Sequence, residues 1–285
     1  MDWVLSMRAD WLTVIMKAFT FLGDEEFFLL FLPVAYWLWR KEIMGRTGVI
    51  LLFTFVVNAL VKGIFQIPRP EILEHLVEAD GWSFPSGHAQ GAMVLWGWLA
   101  WELKQRSSTI VSTIIILGVG FSRVYLGVHS PLDVLGGFSL GLLSLLAYKF
   151  LLEQNFAGWK PLGPTRQSLI AFVGLMGLFM LAPEVSDVAL KGGAAFIGFL
   201  AGVWHERKYL ASEKGGGWSQ AAFKIGLGFV GIVVIWIGLK QVFVSIGYTT
   251  DMALFIRYSL LGLWIGYGAP YLFVHFGWDE EGRHK

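Results

Sequence analysis

Long apolar runs alternate with short polar breaks along almost the whole chain. The runs fall at about 27–41, 45–66, 86–104, 108–127, 131–153, 167–183, 188–205, 219–245 and 251–276. Most reach the roughly 17–25 residues that a helix needs to cross a bilayer at 1.5 Å per residue. The pattern predicts an all-α fold, a polytopic transmembrane helix bundle of about nine spans. The first run is short, and a turn at Pro183–Asp187 divides the sixth from the seventh. Residues 11–22 are too few to span and carry Lys17, so they predict a short N-terminal interfacial helix. No connection is long enough to hold a soluble domain. The longest covers residues 67–84, and long connections are often functional.

Composition agrees with a membrane protein. The 285 residues are 55% hydrophobic and 15% charged, with a mean hydropathy of +0.61, whereas soluble domains carry about 25% charged residues. A net charge of +1 argues neither for a nucleic-acid partner nor for a polybasic membrane-surface protein, and no nucleic-acid partner is expected. The absence of cysteine excludes disulfides, thiolate metal sites and cysteine nucleophiles. The first 26 residues lack the basic-then-apolar layout of a cleaved signal peptide. Tryptophans near run ends, such as Trp3, Trp11, Trp37, Trp39, Trp82, Trp159 and Trp278, suit aromatic belts. Trp96, Trp98 and Trp101 crowd one run, where packing or lipid contact is the expected role.

Three polar clusters interrupt this pattern. Lys62 is followed by Arg69-Pro70; next comes Pro85-Ser86-Gly87-His88; then Ser122-Arg123 with His129 and Asp133. A charge at mid-bilayer costs about 2.5–3.5 kcal/mol on insertion scales, so such residues need a use. Lys62 ends the second run, His88 opens the third, Arg123 ends the fourth and Asp133 opens the fifth. Alternating spans therefore put all four at one membrane face. Of the 22 Lys and Arg residues, 14 fall on the opposite face, among them Arg40, Lys41, Arg46, Arg207 and Lys208. The positive-inside rule makes that face cytoplasmic, and the clusters are expected to face the periplasm, the cell exterior or an organelle lumen.

The residue types point to phosphate chemistry. Asn58, Lys62 and Gln66 share one helix face. Arginine recognises phosphate through a planar fork and lysine as a point charge, and three cations on one face can neutralise a transferring phosphoryl group. The plain alternative for any one of them is snorkelling to the head groups. Ser83 to His88 reads as a helix start, with Ser83 as cap and Pro85 in the first turn. The amides of Ser86 and Gly87 would then point at an anion. His129 and Asp133, four apart around Pro131, share a helix face, and a carboxylate on one imidazole nitrogen leaves the other free to attack. The plain alternative here is a capping Asp beside an interfacial His. A metal would need His88, His129 and Asp133, and three nearby cations would repel it, so no metal is expected.

These motifs resemble the three-part signature of the type 2 phosphatidic acid phosphatase (PAP2) superfamily, in its membrane lipid phosphate phosphatase branch. The match runs directly over 62–133, with no departure at a motif position, and by helix order over 45–153. The resemblance implies that His129 attacks phosphorus to give a phosphohistidine, Asp133 orients it, and His88 protonates the leaving oxygen and later activates water. It further implies that Lys62, Arg69, Ser86, Gly87 and Arg123 hold the phosphoryl oxygens, with neither metal nor cofactor. Residues 1–153 are then expected to form the catalytic bundle, and 154–285 further membrane helices without an assigned role, which offer a face for a homodimer. The expected function is metal-independent hydrolysis of a lipid phosphate or diphosphate. A lipid phosphotransferase or a sugar-phosphate phosphatase would use the same site, and a lipid-binding or lipid-translocating protein is the non-enzymatic alternative.

Overall fold

The computed structural model describes residues 6–71, 75–154, 162–182, 185–213 and 215–280. Among them the regular structure is helical, apart from one isolated bridge between Glu213 and Glu280. A short helix α1 (Asp10–Phe21) precedes α2 (Glu25–Leu38), α3 (Lys41–Phe65), α4 (Gly87–Leu103), α5 (Arg106–Tyr125) and α6 (Pro131–Glu153). Four more follow: α7 (Gly163–Leu181), α8 (Asp187–Leu210), α9 (Trp218–Ser245) and α10 (Asp251–His275). Each of the nine predicted runs coincides with one of α2 to α10. Seven are long and apolar enough to cross a membrane; α2 and α4 are shorter, at 14 and 17 residues. Pro183 and Glu184 of the predicted turn, and Trp3 and Trp159 of the predicted belts, lie outside the described residues.

The chain forms two compact units. The first comprises Met1–Phe31, Thr54–Gln154 and Ala182–Ser186. In it α4 packs against both α5 and α6, and α1 packs against α5. The α4–α6 approach is set by glycine. A Cβ on Gly137 would stand 2.5 Å from the Ser86 carbonyl oxygen, and one on Gly141 3.0 Å from that of Gln90. Small residues one turn apart let two backbones meet in this way. Helix α1 buries one side and exposes apolar side chains on the other. Met16 joins Val124, Tyr125, Leu126 and Val128 in a buried cluster, while Trp11 and Val14 are exposed. Of the three crowded tryptophans, Trp96 stacks near Phe27 and Trp98 meets Tyr148, so both pack. Trp101 lies under the Lys149 ammonium.

The second unit comprises Leu32–Phe53, Asn155–Leu181 and Asp187–Lys285. Its centre is another glycine contact, Gly198 and Gly202 of α8 against Gly262 and Gly266 of α10. Helix α10 widens to a π turn at Trp264–Gly268. Two carbonyls of that turn are taken up by side chains: Ile265 accepts from Trp37 Nε1 at 3.0 Å and Gly266 from the Tyr36 hydroxyl at 3.2 Å. An unsatisfied carbonyl in a membrane interior is costly, which accounts for buried Tyr and Trp at these positions.

Candidate active site

Three local structures bring the clusters together, all within the first unit. At the end of α5 the chain turns through Gly127, whose φ of +80° suits glycine. The Arg123 carbonyl accepts from the amides of both Val128 and His129. The turn thus holds His129 beside the residue that ends the helix. Immediately afterwards, Ser130 caps α6 and Pro131 occupies its first turn. Asp133 closes a reciprocal capping box: Ser130 Oγ accepts from the Asp133 amide at 3.2 Å, and Asp133 Oδ2 accepts from the Ser130 amide at 2.7 Å. Asp133 is therefore both the capping residue and the neighbour of His129; the two readings are compatible.

The second cluster differs from expectation. Helix α4 starts at Gly87 with Ser86 as its cap, and Pro85 lies before the helix, joined to Phe84 by a cis peptide. The Ser86 amide is not free for an anion, because it donates to the Asp133 carbonyl at 2.9 Å. That bond ties the start of α4 to the start of α6. The Ser86 hydroxyl and the Gly87 amide are the groups left to meet a ligand. Asn58 lies beneath Gly87, where a Cβ would stand 3.3 Å from its Oδ1, and its amide donates to Gln90 Oε1 at 2.7 Å. The predicted polar face of α3 thus divides: Asn58 supports α4, Lys62 donates to the Trp82 carbonyl at 2.5 Å, and Gln66 lies beyond the helix end and is exposed.

Arg69 makes the densest set of contacts. Nε and Nη2 donate to the carbonyls of Asp80 and Gly81, clasping the 67–84 connection. Nη1 donates to the Val128 carbonyl at 3.0 Å and stands 3.1 Å from His129 Nε2. A guanidinium only donates, so the Nε2 it meets carries the lone pair and the imidazole proton sits on Nδ1. Nδ1 is 3.2 Å from Ser83 Oγ, whose own hydroxyl donates to Asp133 Oδ2 at 2.7 Å. The direct His129–Asp133 separation is 3.7 Å, too long for a hydrogen bond. The order Arg69, His129, Ser83, Asp133 is a single polarised chain.

His129 is 1% exposed and Arg123 4%. Burial pushes the His129 imidazole down to about 3; Asp133 opposes that shift, and the cations Arg69, Arg123 and Lys62 reinforce it. The ring is therefore neutral at physiological pH, as a nucleophile requires. Burial also holds Arg69 below the usual guanidinium range, against the pull of Asp133 and Asp80. Arg123 Nη1 donates to Thr20 Oγ1 at 2.5 Å, and its buried Nε has no partner among the described residues. No group of three or more His, Asp or Glu side chains able to hold a metal occurs among the described residues.

Comparison with known proteins bears on this arrangement. The PAP2 superfamily matches residues 44–157, and the transmembrane extension of PAP2 superfamily phosphatases matches 190–281. Phosphatidylglycerophosphatase B of Bacillus subtilis (strain 168) is 33% identical over 159 residues, which is 50% of this chain and 76% of that protein. The chain belongs to the PAP2 superfamily. Sphingosine-1-phosphate phosphatase 1 of Rattus norvegicus is 27% identical over 198 residues, 65% of this chain and 45% of that protein; the chain spans less than half of that relative. The crystal structure of a transmembrane PAP2-type phosphatidylglycerolphosphate phosphatase from Bacillus subtilis is 30% identical with a TM-score of 0.47, over 54% of this chain and 84% of that one.

Three side chains that contact the candidate residues escaped sequence reasoning. Ser83, expected as a helix cap, is instead the link between His129 and Asp133. Asp24, between α1 and α2, accepts from His88 Nε2 at 2.5 Å. Thr20, on α1, accepts from Arg123. Ser83 lies next to a motif and was within reach of its pattern. Asp24 and Thr20 lie 64 and 103 residues from their partners, and no local spacing signals such contacts.

Proposed function

We propose that this PAP2 protein is an integral membrane phosphatase that hydrolyses a lipid phosphate or diphosphate without a metal, through a phosphohistidine on His129. The observation that carries the reading is the 3.1 Å contact of Arg69 Nη1 with His129 Nε2. It puts the nucleophilic lone pair against a phosphate-binding guanidinium, with the ring neutral. Burial excludes competing water, and in such surroundings fixed charges act strongly on a developing oxyanion.

The chemistry proceeds in two displacements. As Arg69 Nη1 turns from His129 Nε2 to a phosphoryl oxygen, the freed Nε2 lone pair forms a bond to phosphorus, the bond to the leaving oxygen breaks, and His88 gives that oxygen a proton. Water then attacks phosphorus, the N–P bond breaks, and His88 takes the proton. Arg69, Arg123 and Lys62 neutralise the equatorial oxygens, with the Ser86 hydroxyl and Gly87 amide as further donors. Ser83 and Asp133 stabilise the proton left on His129 Nδ1.

The lipid class of substrate rests on the setting, a site at the ends of apolar helices, and on the phosphatidylglycerophosphate and sphingosine-1-phosphate phosphatases among the relatives. The distribution of Lys and Arg supports a site facing away from the cytosol. The eight motif residues fall within 1–153, which we read as the catalytic bundle, with 154–285 as additional membrane helices. Purified protein in EDTA should release phosphate from at least one of a diacyl, isoprenoid or sphingoid phosphate, and vanadate should block release. No release from any of them, with the protein folded, would overturn the reading.

A further inference from the structure

The two histidines of the site have parallel surroundings, but only one was expected to have a carboxylate. His88 Nε2 lies 2.5 Å from Asp24 Oδ1, with both side chains partly buried. Among the described residues His88 Nδ1 makes no hydrogen bond, so the ring has one nitrogen held and one open. Asp24 comes from the turn between α1 and α2, a segment outside the three motifs.

That turn is fastened to the site at several points. Gly23 lies so close to α4 and α5 that a Cβ there would stand 2.8 Å from Val119 Cγ1 and 3.3 Å from the His88 carbonyl oxygen. Trp96 Nε1 donates to the Leu22 carbonyl at 3.4 Å. Thr20 Oγ1 accepts from Arg123 Nη1. A turn clamped by α4 and α5, with no Cβ at the contact residue, presents its carboxylate in a fixed place.

We infer that Asp24 is a positioning residue for His88, and that the α1–α2 turn completes the active site by holding the acid–base imidazole through Nε2 so that Nδ1 faces the leaving group. In the first displacement His88 is an imidazolium. Asp24 accepts from Nε2–H, and Nδ1–H passes its proton to the leaving oxygen as the P–O bond breaks. In the second, the neutral ring keeps its proton on Nε2 against Asp24, which leaves the Nδ1 lone pair to take a proton from the attacking water. Asp24 keeps its charge throughout. The charged groups around His88 are Asp24, Arg123 and Arg69, so Asp24 is the anion that favours the imidazolium against two cations.

The inference rests on the proposed phosphohistidine reaction, and its test separates the two. Asp24→Asn keeps a hydrogen-bond acceptor for Nε2–H but removes the charge. With a lipid phosphate that the wild type hydrolyses, it should lower kcat about tenfold to a hundredfold at little cost in KM. It should also move the alkaline limb of the kcat profile down by about one pH unit or more, because the acid loses its counter-charge. Asp24→Glu should recover part of both effects, which a merely structural role would not require. The melting temperature and monodispersity of each variant in detergent identify misfolding independently of the chemistry. An Asp24→Asn enzyme with wild-type kcat and an unmoved limb would overturn the inference. So would one with raised activity and a lowered KM, since Asp24 would then be an internal competitor for the anion site. Failure of the underlying reaction appears separately, as a wild-type enzyme that turns over without labelling His129.

Discussion

The Ser83 hydroxyl stands 2.7 Å from Asp133 Oδ2, while the His129 imidazole stands 3.7 Å from the same oxygen. A serine thus carries the link between histidine and carboxylate. Its position is fixed from the other side by its own amide, which donates to the Ile67 carbonyl at 2.7 Å. The histidine and carboxylate four residues apart are thus joined through the hydroxyl.

Removing that hydroxyl leaves a buried carboxylate oxygen and a buried imidazole N–H without their shared partner, a loss of about 1–3 kcal/mol. Ser83→Ala should therefore lower kcat about ten- to hundredfold with KM little changed, and Ser83→Thr should keep more activity than Ala. Steady-state kinetics on one lipid phosphate checks both.

Arg69 spends its fork on two jobs, clasping the connection through Asp80 and Gly81 and meeting His129. An ammonium cannot reach both. Arg69→Lys should lose nearly as much kcat/KM as Arg69→Ala, about a hundredfold or more, and added guanidinium should restore part of the Ala variant's activity. Retention of most activity by Lys would show that a point charge suffices.

The neutral state of His129 makes a signed prediction about stability. Its folded value, about 3, lies below the ordinary value near 6.5, so between those limits the unfolded chain binds the extra proton. Stabilisation by the neutral ring is complete above pH 6.5 and is lost as pH falls towards 3. The melting temperature in detergent should fall more steeply from pH 7 to pH 4 for the wild type than for His129→Gln. Parallel curves would contradict the assignment.

Glycine contacts give a structural prediction with its own control. A Cβ on Gly137 meets the Ser86 carbonyl at 2.5 Å, whereas one on Gly174 meets nothing within 4 Å. Gly137→Ala must shift α4 from α6, at a cost of about 1–3 kcal/mol, and should lower both melting temperature and activity. Gly174→Ala should stay within about 0.5 kcal/mol of wild type.

These contacts also show what could be read in advance. Apolar run lengths located every helix from α2 to α10 because length and composition decide a membrane span locally. The motif residues met because each sits at a helix end or in the connection just beyond one, and ends of successive spans share a face. What stayed hidden depended on through-space packing. The role of Ser83 depends on where α6 lies, and the Ser86 amide looked free until the Asp133 carbonyl reached it. Asp24 and Thr20 are ordinary residues of a short helix and its turn; only the packing of that segment on α4 and α5 gives them partners.

The central claim, that His129 carries the phosphoryl group, is tested most directly by rapid alkaline quench of the enzyme turning over a ³²P-labelled lipid phosphate, followed by peptide mapping. The account predicts alkali-stable label on the peptide containing His129, formed and lost at rates consistent with turnover and absent in His129→Ala. Full turnover by His129→Ala, or wild-type turnover with the label on another residue, would contradict it.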